Sequence, residues 1–249
     1  MIVDLSGRTA LVTGASSGLG AHFAGVLAAH GAAVILAARR VEALEQVAAA
    51  IRAAGGTATT AALDVCDPAS IAALEPALAG LDILVNNAGV VREAPALDQT
   101  EADWDAVIDT NLKGCFLMAQ AAARAFRGHG RGGQIINIAS ILGLRQAGMV
   151  LPYAVAKAGL IQMTKALALE WARYGIQVNA IAPGYVETEL NSAFWASPAG
   201  EAMLRRIPQR RLGQLADLEA PLLMLAAGSS ASMTGAILAV DGGHLTSSL

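Results

Sequence analysis

The sequence predicts an α/β domain organised on a doubly wound parallel sheet with helices on both faces, and three observations carry that expectation. Short apolar runs alternate with helix-length segments, the first run ends in a glycine-rich turn that opens a helix, and no repeat, low-complexity tract or linker divides the 249 residues. Strands separated by whole helices pair in parallel through right-handed crossovers. A chain of this length commonly forms one α/β domain.

Arg8 to Thr13, RTALVT, reads as the first strand and passes into Gly14-Ala15-Ser16-Ser17-Gly18-Leu19-Gly20, with Ala21 to His30 as helix. Glycines at such a turn let the backbone approach a pyrophosphate, while the helix N-terminus offers N–H groups and the positive end of its dipole. The spacing differs from the Gly-x-Gly-x-x-Gly fingerprint, so the strand-turn-helix context carries the reading. Ala33 to Ala38 is the second strand and Val41 to Ala54 a helix closed by Gly55-Gly56. Thr57 to Leu63 is the third strand, Pro68 to Ala79 a helix and Leu81 to Val85 the fourth strand. After the second strand, where dinucleotide enzymes place an acidic residue against the ribose 2'-hydroxyl, this chain has Ala38-Arg39-Arg40. Two guanidiniums without a carboxylate favour a 2'-phosphate, Arg39 ahead of Arg40; the alternative is that both are solvated at a helix start. Asp64-Val65 and Asn86-Asn87-Ala88-Gly89 end the third and fourth strands at the carboxyl edge, where such sheets bind ligands.

Thr100 to Arg127 reads as a long helix with an N-cap and an acidic first turn. It carries Asn111 in its interior, where an amide is unfavourable unless it has a task. Gln134 to Ala139, QIINIA, is a strand that delivers Ser140 at its carboxyl end, 13 residues before Tyr153. Leu151 to Trp171 reads as a helix apolar on more than one face, suited to an interior or a subunit interface. Tyr153 and Lys157 break that pattern: four apart, they share one helix face. An ammonium beside a phenol favours the phenolate, which makes Tyr153 a candidate general acid or base. Taken alone, such a pair is more often a plain surface Tyr and Lys.

Hydrophobic residues make up 55% of the chain and charged residues 15%, a composition for a well-buried protein that associates with itself rather than for a disordered one. A net charge of -3 without a basic run excludes an electrostatic footprint for nucleic acid. Met1 to Gly7 is too short and too acidic for a signal peptide, so a cytoplasmic location is expected. The uncharged stretch Ala220 to Val240 is interrupted by Gly228-Ser229-Ser230 and Thr234-Gly235 and reads as helix, loop and strand, not as a membrane span. Cys66 and Cys115, without a CxxC or a histidine cluster, indicate neither a disulfide framework nor a metal site.

Taken together and in order, Thr13-Gly14-x3-Gly18-x-Gly20, Asn86-Asn87-Ala88-Gly89, Asn111, Ser140, Tyr153-x3-Lys157, Pro183-Gly184 and Asp241-Gly242-Gly243 resemble the short-chain dehydrogenase/reductase family over essentially the whole chain. The resemblance implies a single Rossmann domain over 1–249 with a seven-stranded parallel sheet and a small substrate lid at about 188–210. It implies that Tyr153 exchanges a proton with the carbonyl or alcohol oxygen, that Ser140 hydrogen-bonds the same oxygen, and that Lys157 tunes Tyr153 and binds the nicotinamide ribose. Asn111 would hold a relay water. The cofactor would be NADP(H), with NAD(H) possible, on the turn containing Gly14, Ser16, Ser17, Gly18, Leu19 and Gly20. Arg39 and Arg40 would take the 2'-phosphate, Asp64 and Val65 the adenine, and Asn87, Ala88 and Gly89 would lie alongside. Tyr153 and Lys157 would contact the ribose, Pro183, Gly184 and Val186 the nicotinamide, and Thr188 the phosphates. Ala139 stands where many members have a second serine, and Ser17 is not the basic residue some NADP-dependent members carry.

Leu142, Met149, Val150, Phe194 and Trp195 are the candidates for the substrate pocket. The resemblance is closest to 3-oxoacyl thioester reductases and related carbonyl reductases, in which Arg131 and Arg173 sit near segments that offer positive charge to an acyl carrier. Steroid, polyol and sugar-acid dehydrogenases are the enzymatic alternatives. A non-catalytic NADP(H)-binding regulator is the alternative of another class, and the presence of all four catalytic residues argues against it. The implied assembly is a homotetramer paired through the Thr100 to Arg127 and Pro152 to Tyr174 helices.

Overall fold

Seven parallel strands carry the architecture: Thr9–Thr13 (β1), Ala33–Ala38 (β2), Thr57–Ala62 (β3), Ile83–Asn86 (β4), Gly133–Ile138 (β5), Ile176–Pro183 (β6) and Ile237–Val240 (β7). Their order across the sheet is β3-β2-β1-β4-β5-β6-β7, with Leu11 opposite Ile35 and Leu84, and Ile135 opposite Val178. The computed structural model describes residues 3–187, 195, 197–229 and 231–247.

Because each central strand is covered on both faces, neighbouring residues along it point into different cores, and the strands read as continuous apolar runs. Val12, Leu36, Val85 and Ile136 pack on one face with the helices Gly18–Ala29 (α1), Val41–Ala53 (α2) and Glu219–Ala226 (α9). Leu11, Ile35, Leu84 and Ile135 pack on the other with Pro68–Ala72 (α3), Glu75–Leu78 (α4), Gly114–His129 (α6) and Leu151–Trp171 (α7). The remaining α-helices among the described residues are Glu101–Ile108 (α5) and Pro198–Leu204 (α8). None of the described helices is long and apolar enough to cross a membrane.

Two expected helices are remodelled. The helix anticipated from Pro68 to Ala79 is divided into α3 and α4, because Pro76 has no N–H to continue the ladder and its ring would meet the carbonyl of Ala72. The helix anticipated from Thr100 to Arg127 starts as foreseen, with Thr100 Oγ1 accepting from Asp103 N at 3.1 Å. At Asp109–Lys113 it widens into a π-helical turn between α5 and α6, and Asn111 lies within that turn.

The chain winds outward from β1 to β3, then returns to add β4 on the other side of β1, so the strand order reverses between β1 and β4. Loops leaving the carboxyl ends of those two strands diverge and open a crevice.

Candidate active site

The crevice begins at the glycine turn. Gly14 has φ +67, and a Cβ there would stand 2.9 Å from Ala88 Cα. A Cβ on Gly20 would lie 2.3 Å from the Gly14 carbonyl oxygen and 2.5 Å from Asn87 Nδ2. Only glycine lets α1 approach the strand ends so closely. Thr13 ties the loops together: its hydroxyl accepts from Asn87 N and Ala88 N, both at 3.0 Å, while Asn87 Nδ2 donates to Thr13 O at 2.9 Å. Arg40 donates to Ser16 Oγ at 2.9 Å and Ser17 Oγ at 2.7 Å, fastening the end of β2 to the same turn. Asp64 is held by its own loop, its carboxylate accepting from Cys66 N at 3.0 Å.

Beyond β5, Ser140 has extended backbone, and its Oγ accepts from Leu142 N at 3.1 Å, which leaves the hydroxyl hydrogen to be donated elsewhere. The turn Ile141–Gly143 lies directly against α7, since a Cβ on Gly143 would be 2.7 Å from the Lys157 carbonyl carbon. Lys157 is 4% exposed and donates from Nζ to Ile138 O, the end of β5, at 2.6 Å. That bond holds the ammonium 5.6 Å from the centre of the Tyr153 ring. Asn111 is fully buried and clamps Val90 at both backbone atoms, accepting from Val90 N and donating to Val90 O at 2.8 Å.

One cleft of about 1100 Å³ collects most of the expected residues. Gly14, Ser16, Ser17, Leu19, Gly20, Arg39, Arg40, Asp64, Val65, Asn87, Ala88 and Gly89 line one end of it. Ser140, Leu142, Met149, Val150, Tyr153, Lys157, Pro183, Gly184, Val186 and Trp195 line the other. Gly18, exposed and with φ +56, and the buried Asn111 are not part of this lining, and Asn111 shapes the cleft through Val90. Thr188 and Phe194 lie outside the described residues.

Sequence reasoning passed over Tyr185, Val91, Glu93 and the pair Ala147-Gly148, which also line the cleft. Tyr185 makes an edge contact with Trp195 at 5.1 Å and a tilted one with His244 at 5.7 Å, and burial raises its phenol above the ordinary tyrosine range. An aromatic directly after Pro183-Gly184, and a carboxylate shortly after the Asn87 loop, were the available signals. A buried polar chain was also unforeseen: Asn86 Nδ2 donates to Asn137 Oδ1 at 3.0 Å, and Asn137 Nδ2 to Thr164 Oγ1 at 2.9 Å. The asparagine inside the apolar run QIINIA was its trace.

At about 1100 Å³ the cleft stands at the upper end of the roughly 300–1,000 Å³ of common small-molecule sites. Its glycine cradle, facing a phenol backed by a buried ammonium, is the layout of a nucleotide-dependent oxidoreductase acting on CH–OH and C=O groups. Residues 8–198 match the family model described as short chain dehydrogenase, and the chain belongs to that family. The gluconate 5-dehydrogenase of Gluconobacter oxydans (strain 621H) is 38% identical over 247 residues, spanning 97% of this chain and 96% of that protein. The D-threitol dehydrogenase of Mycolicibacterium smegmatis is 38% identical over 244 residues, 96% of this chain and 94% of that one. A gluconate 5-dehydrogenase from Burkholderia cenocepacia J2315, solved with NADP and tartrate, superposes with a TM-score of 0.92 at 39% identity, covering 98% of each chain.

Proposed function

We propose that this protein is an NADP(H)-dependent dehydrogenase that interconverts a secondary alcohol and a ketone on a small hydroxylated, sugar-derived substrate. The observation that carries the reading is the buried Lys157 ammonium, bonded to Ile138 O and held 5.6 Å from the Tyr153 ring in the cleft that also receives Ser140. The phenol of Tyr153 releases a proton to the ketone oxygen in reduction and takes one from the alcohol in oxidation. Ser140 donates its hydroxyl hydrogen to that oxygen and fixes its position. Lys157, beneath the ring, stabilises the phenolate that remains. Bound NADP(H) supplies or accepts the hydride.

The glycine turn provides backbone access to the pyrophosphate, and Arg39, whose guanidinium has no recorded partner among the described residues, is the group for the 2'-phosphate. The gluconate and threitol dehydrogenases among the relatives support a hydroxylated substrate. A 3-oxoacyl thioester is the second reading, favoured by the apolar side chains of Leu142, Met149, Trp195 and Met203 in the cleft. Within one chain, Arg131 and Arg173 precede β5 and β6 at the opposite edge of the sheet; Arg131 pairs with Asp82 at 3.3 Å and Arg173 covers the Tyr174 ring at 4.8 Å.

Tyr153→Phe tests the reading: turnover of NADPH with a responsive ketone should fall about 10²- to 10⁴-fold, the range for a lost general acid, while NADPH binding persists. Undiminished turnover would sink it. The same proposal includes self-association into a tetramer, supported by apolar side chains left exposed on α5, α6 and α7: Trp104 at 38%, Phe116 at 37% and Val155 at 39%. Sedimentation as a monomer at micromolar protein would refute that assembly.

A further inference from the structure

The charges that line the cleft are divided between its ends. Arg39, Arg40 and Asp64 stand at the carboxyl ends of β2 and β3, and Glu93 and Lys157 stand at the end that holds Tyr153. The Lys157 ammonium is buried and committed to Ile138 O. Glu93 is exposed, and its carboxylate has no recorded hydrogen bond or ion pair among the described residues. Arg92, its neighbour, is turned to Asp103 at 3.6 Å and to Val91 O at 3.2 Å. Arg145 is spent on His244 O and Ser247 Oγ.

Glu93 is also held in place. The segment that carries it is anchored at one side where Asn111 grips both backbone atoms of Val90, and at the other where Ala94 N donates to Met149 O at 2.9 Å. Met149 has φ +71, a conformation uncommon for a residue with a side chain, and lies four residues before Tyr153. That bond therefore ties the Glu93 segment to the turn that leads into the Tyr153 helix.

We propose that Glu93 makes this cleft select uncharged polyols and their hydroxy-ketones, and reject sugar acids. An ionised carboxylate only accepts hydrogen bonds, and its two oxygens suit two hydroxyls of one polyol. A substrate carboxylate would meet a like charge, with no uncommitted cation among the described residues that line that end to offset it. This inference rests on the reading of the protein as a dehydrogenase of hydroxylated substrates and narrows it to one class.

The experiment measures kcat/KM for NADP-dependent oxidation of galactitol, threitol and gluconate by the intact protein and by Glu93→Gln and Glu93→Arg. The unaltered protein should favour a polyol over gluconate by about tenfold or more, the ratio that a like-charge contact of about 1.4 kcal/mol produces. Glu93→Gln should narrow that ratio about tenfold, and Glu93→Arg should reverse it, with NADPH affinity unchanged in both. A preference of the unaltered protein for gluconate, or a ratio that neither substitution moves, overturns the proposal and leaves the dehydrogenase reading standing. Calorimetric titration of Tyr153→Phe loaded with NADP reads the same selectivity without turnover. Tighter binding of galactitol than of gluconate supports the proposal; tighter binding of gluconate, or binding of neither, overturns it.

Discussion

The two ends of the cleft are made from different materials. At the nucleotide end the fit is a matter of backbone: Gly14 and Gly20 leave no room for a methyl group, and Thr13 and Asn87 close the loops with hydrogen bonds of about 3 Å. At the other end the walls are side chains delivered by separate segments of the chain, among them Glu93, Met149, Tyr185 and Trp195. On the proposed function, the backbone cradle would serve one invariant ligand feature, the pyrophosphate. Side-chain walls can be exchanged without disturbing the sheet, which is how one fold serves many substrates.

The sharpest way to break that contrast is to change one side chain at each end. Gly20→Ala should cost about 1–3 kcal/mol of stability, as overpacking does, and abolish measurable NADPH binding; thermal melts and fluorescence titration read both. Met149→Gly, at a backbone angle glycine accepts freely, should leave the melting temperature nearly unchanged. Similar losses at both sites would show that the two ends are equally rigid.

The two arginines of the nucleotide end should separate next. Arg39→Ala should weaken NADPH roughly 10- to 100-fold, the scale of a lost charge-assisted bond, and leave NADH little changed. Arg40→Ala should weaken both cofactors by a similar smaller factor, because Arg40 holds Ser16 and Ser17 rather than standing free. Equal loss of both cofactors in Arg39→Ala would remove Arg39 from the 2'-phosphate.

The smallest effect concerns the wall behind Tyr185. Burial holds the His244 imidazole below the usual histidine range, with the Arg145 charge acting in the same direction. The unfolded chain therefore takes up this proton first, near pH 6.5, and the folded state loses stability as pH falls from there through the lowered folded value. Melting temperatures should drop between pH 7.5 and 5.5, and His244→Gln should flatten part of that slope. A slope unaffected by the substitution would assign the acid sensitivity to other groups.

Legibility in the sequence follows the same division. The β1–α1 turn, the Arg39-Arg40 pair and the Tyr153-Lys157 spacing were readable because each depends on neighbours along the chain, through a turn angle or a helical repeat. The seven-stranded sheet was readable for the same reason, since strand and helix alternate locally. Glu93 gained meaning only through Ala94 and Met149, 55 positions apart in sequence, and Tyr185 only through Trp195 and His244. The π-helical turn at Asn111 was foreseen only as an amide needing a task; the task is a two-handed hold on Val90. Where the helix from Pro68 to Ala79 divides, the signal was present in Pro76 and lay within the expected span.

The rung formed by Asn86 and Asn137 bears on how the sheet assembles. These residues stand opposite each other in the β4–β5 ladder, and Thr164 of α7 takes the far end of the chain. Parallel strands of valine, leucine and isoleucine can slide past one another with little loss of hydrophobic contact, so pattern alone aligns them weakly. A slip of a single residue would set Asn86 against Ile136 or Ile138 and strand two amides in an apolar core, at a cost of roughly 1–3 kcal/mol each. The polar rung therefore acts as an alignment pin, and because Asn86 immediately precedes Asn87, seating that pin also sets the height at which the nucleotide loop leaves the sheet.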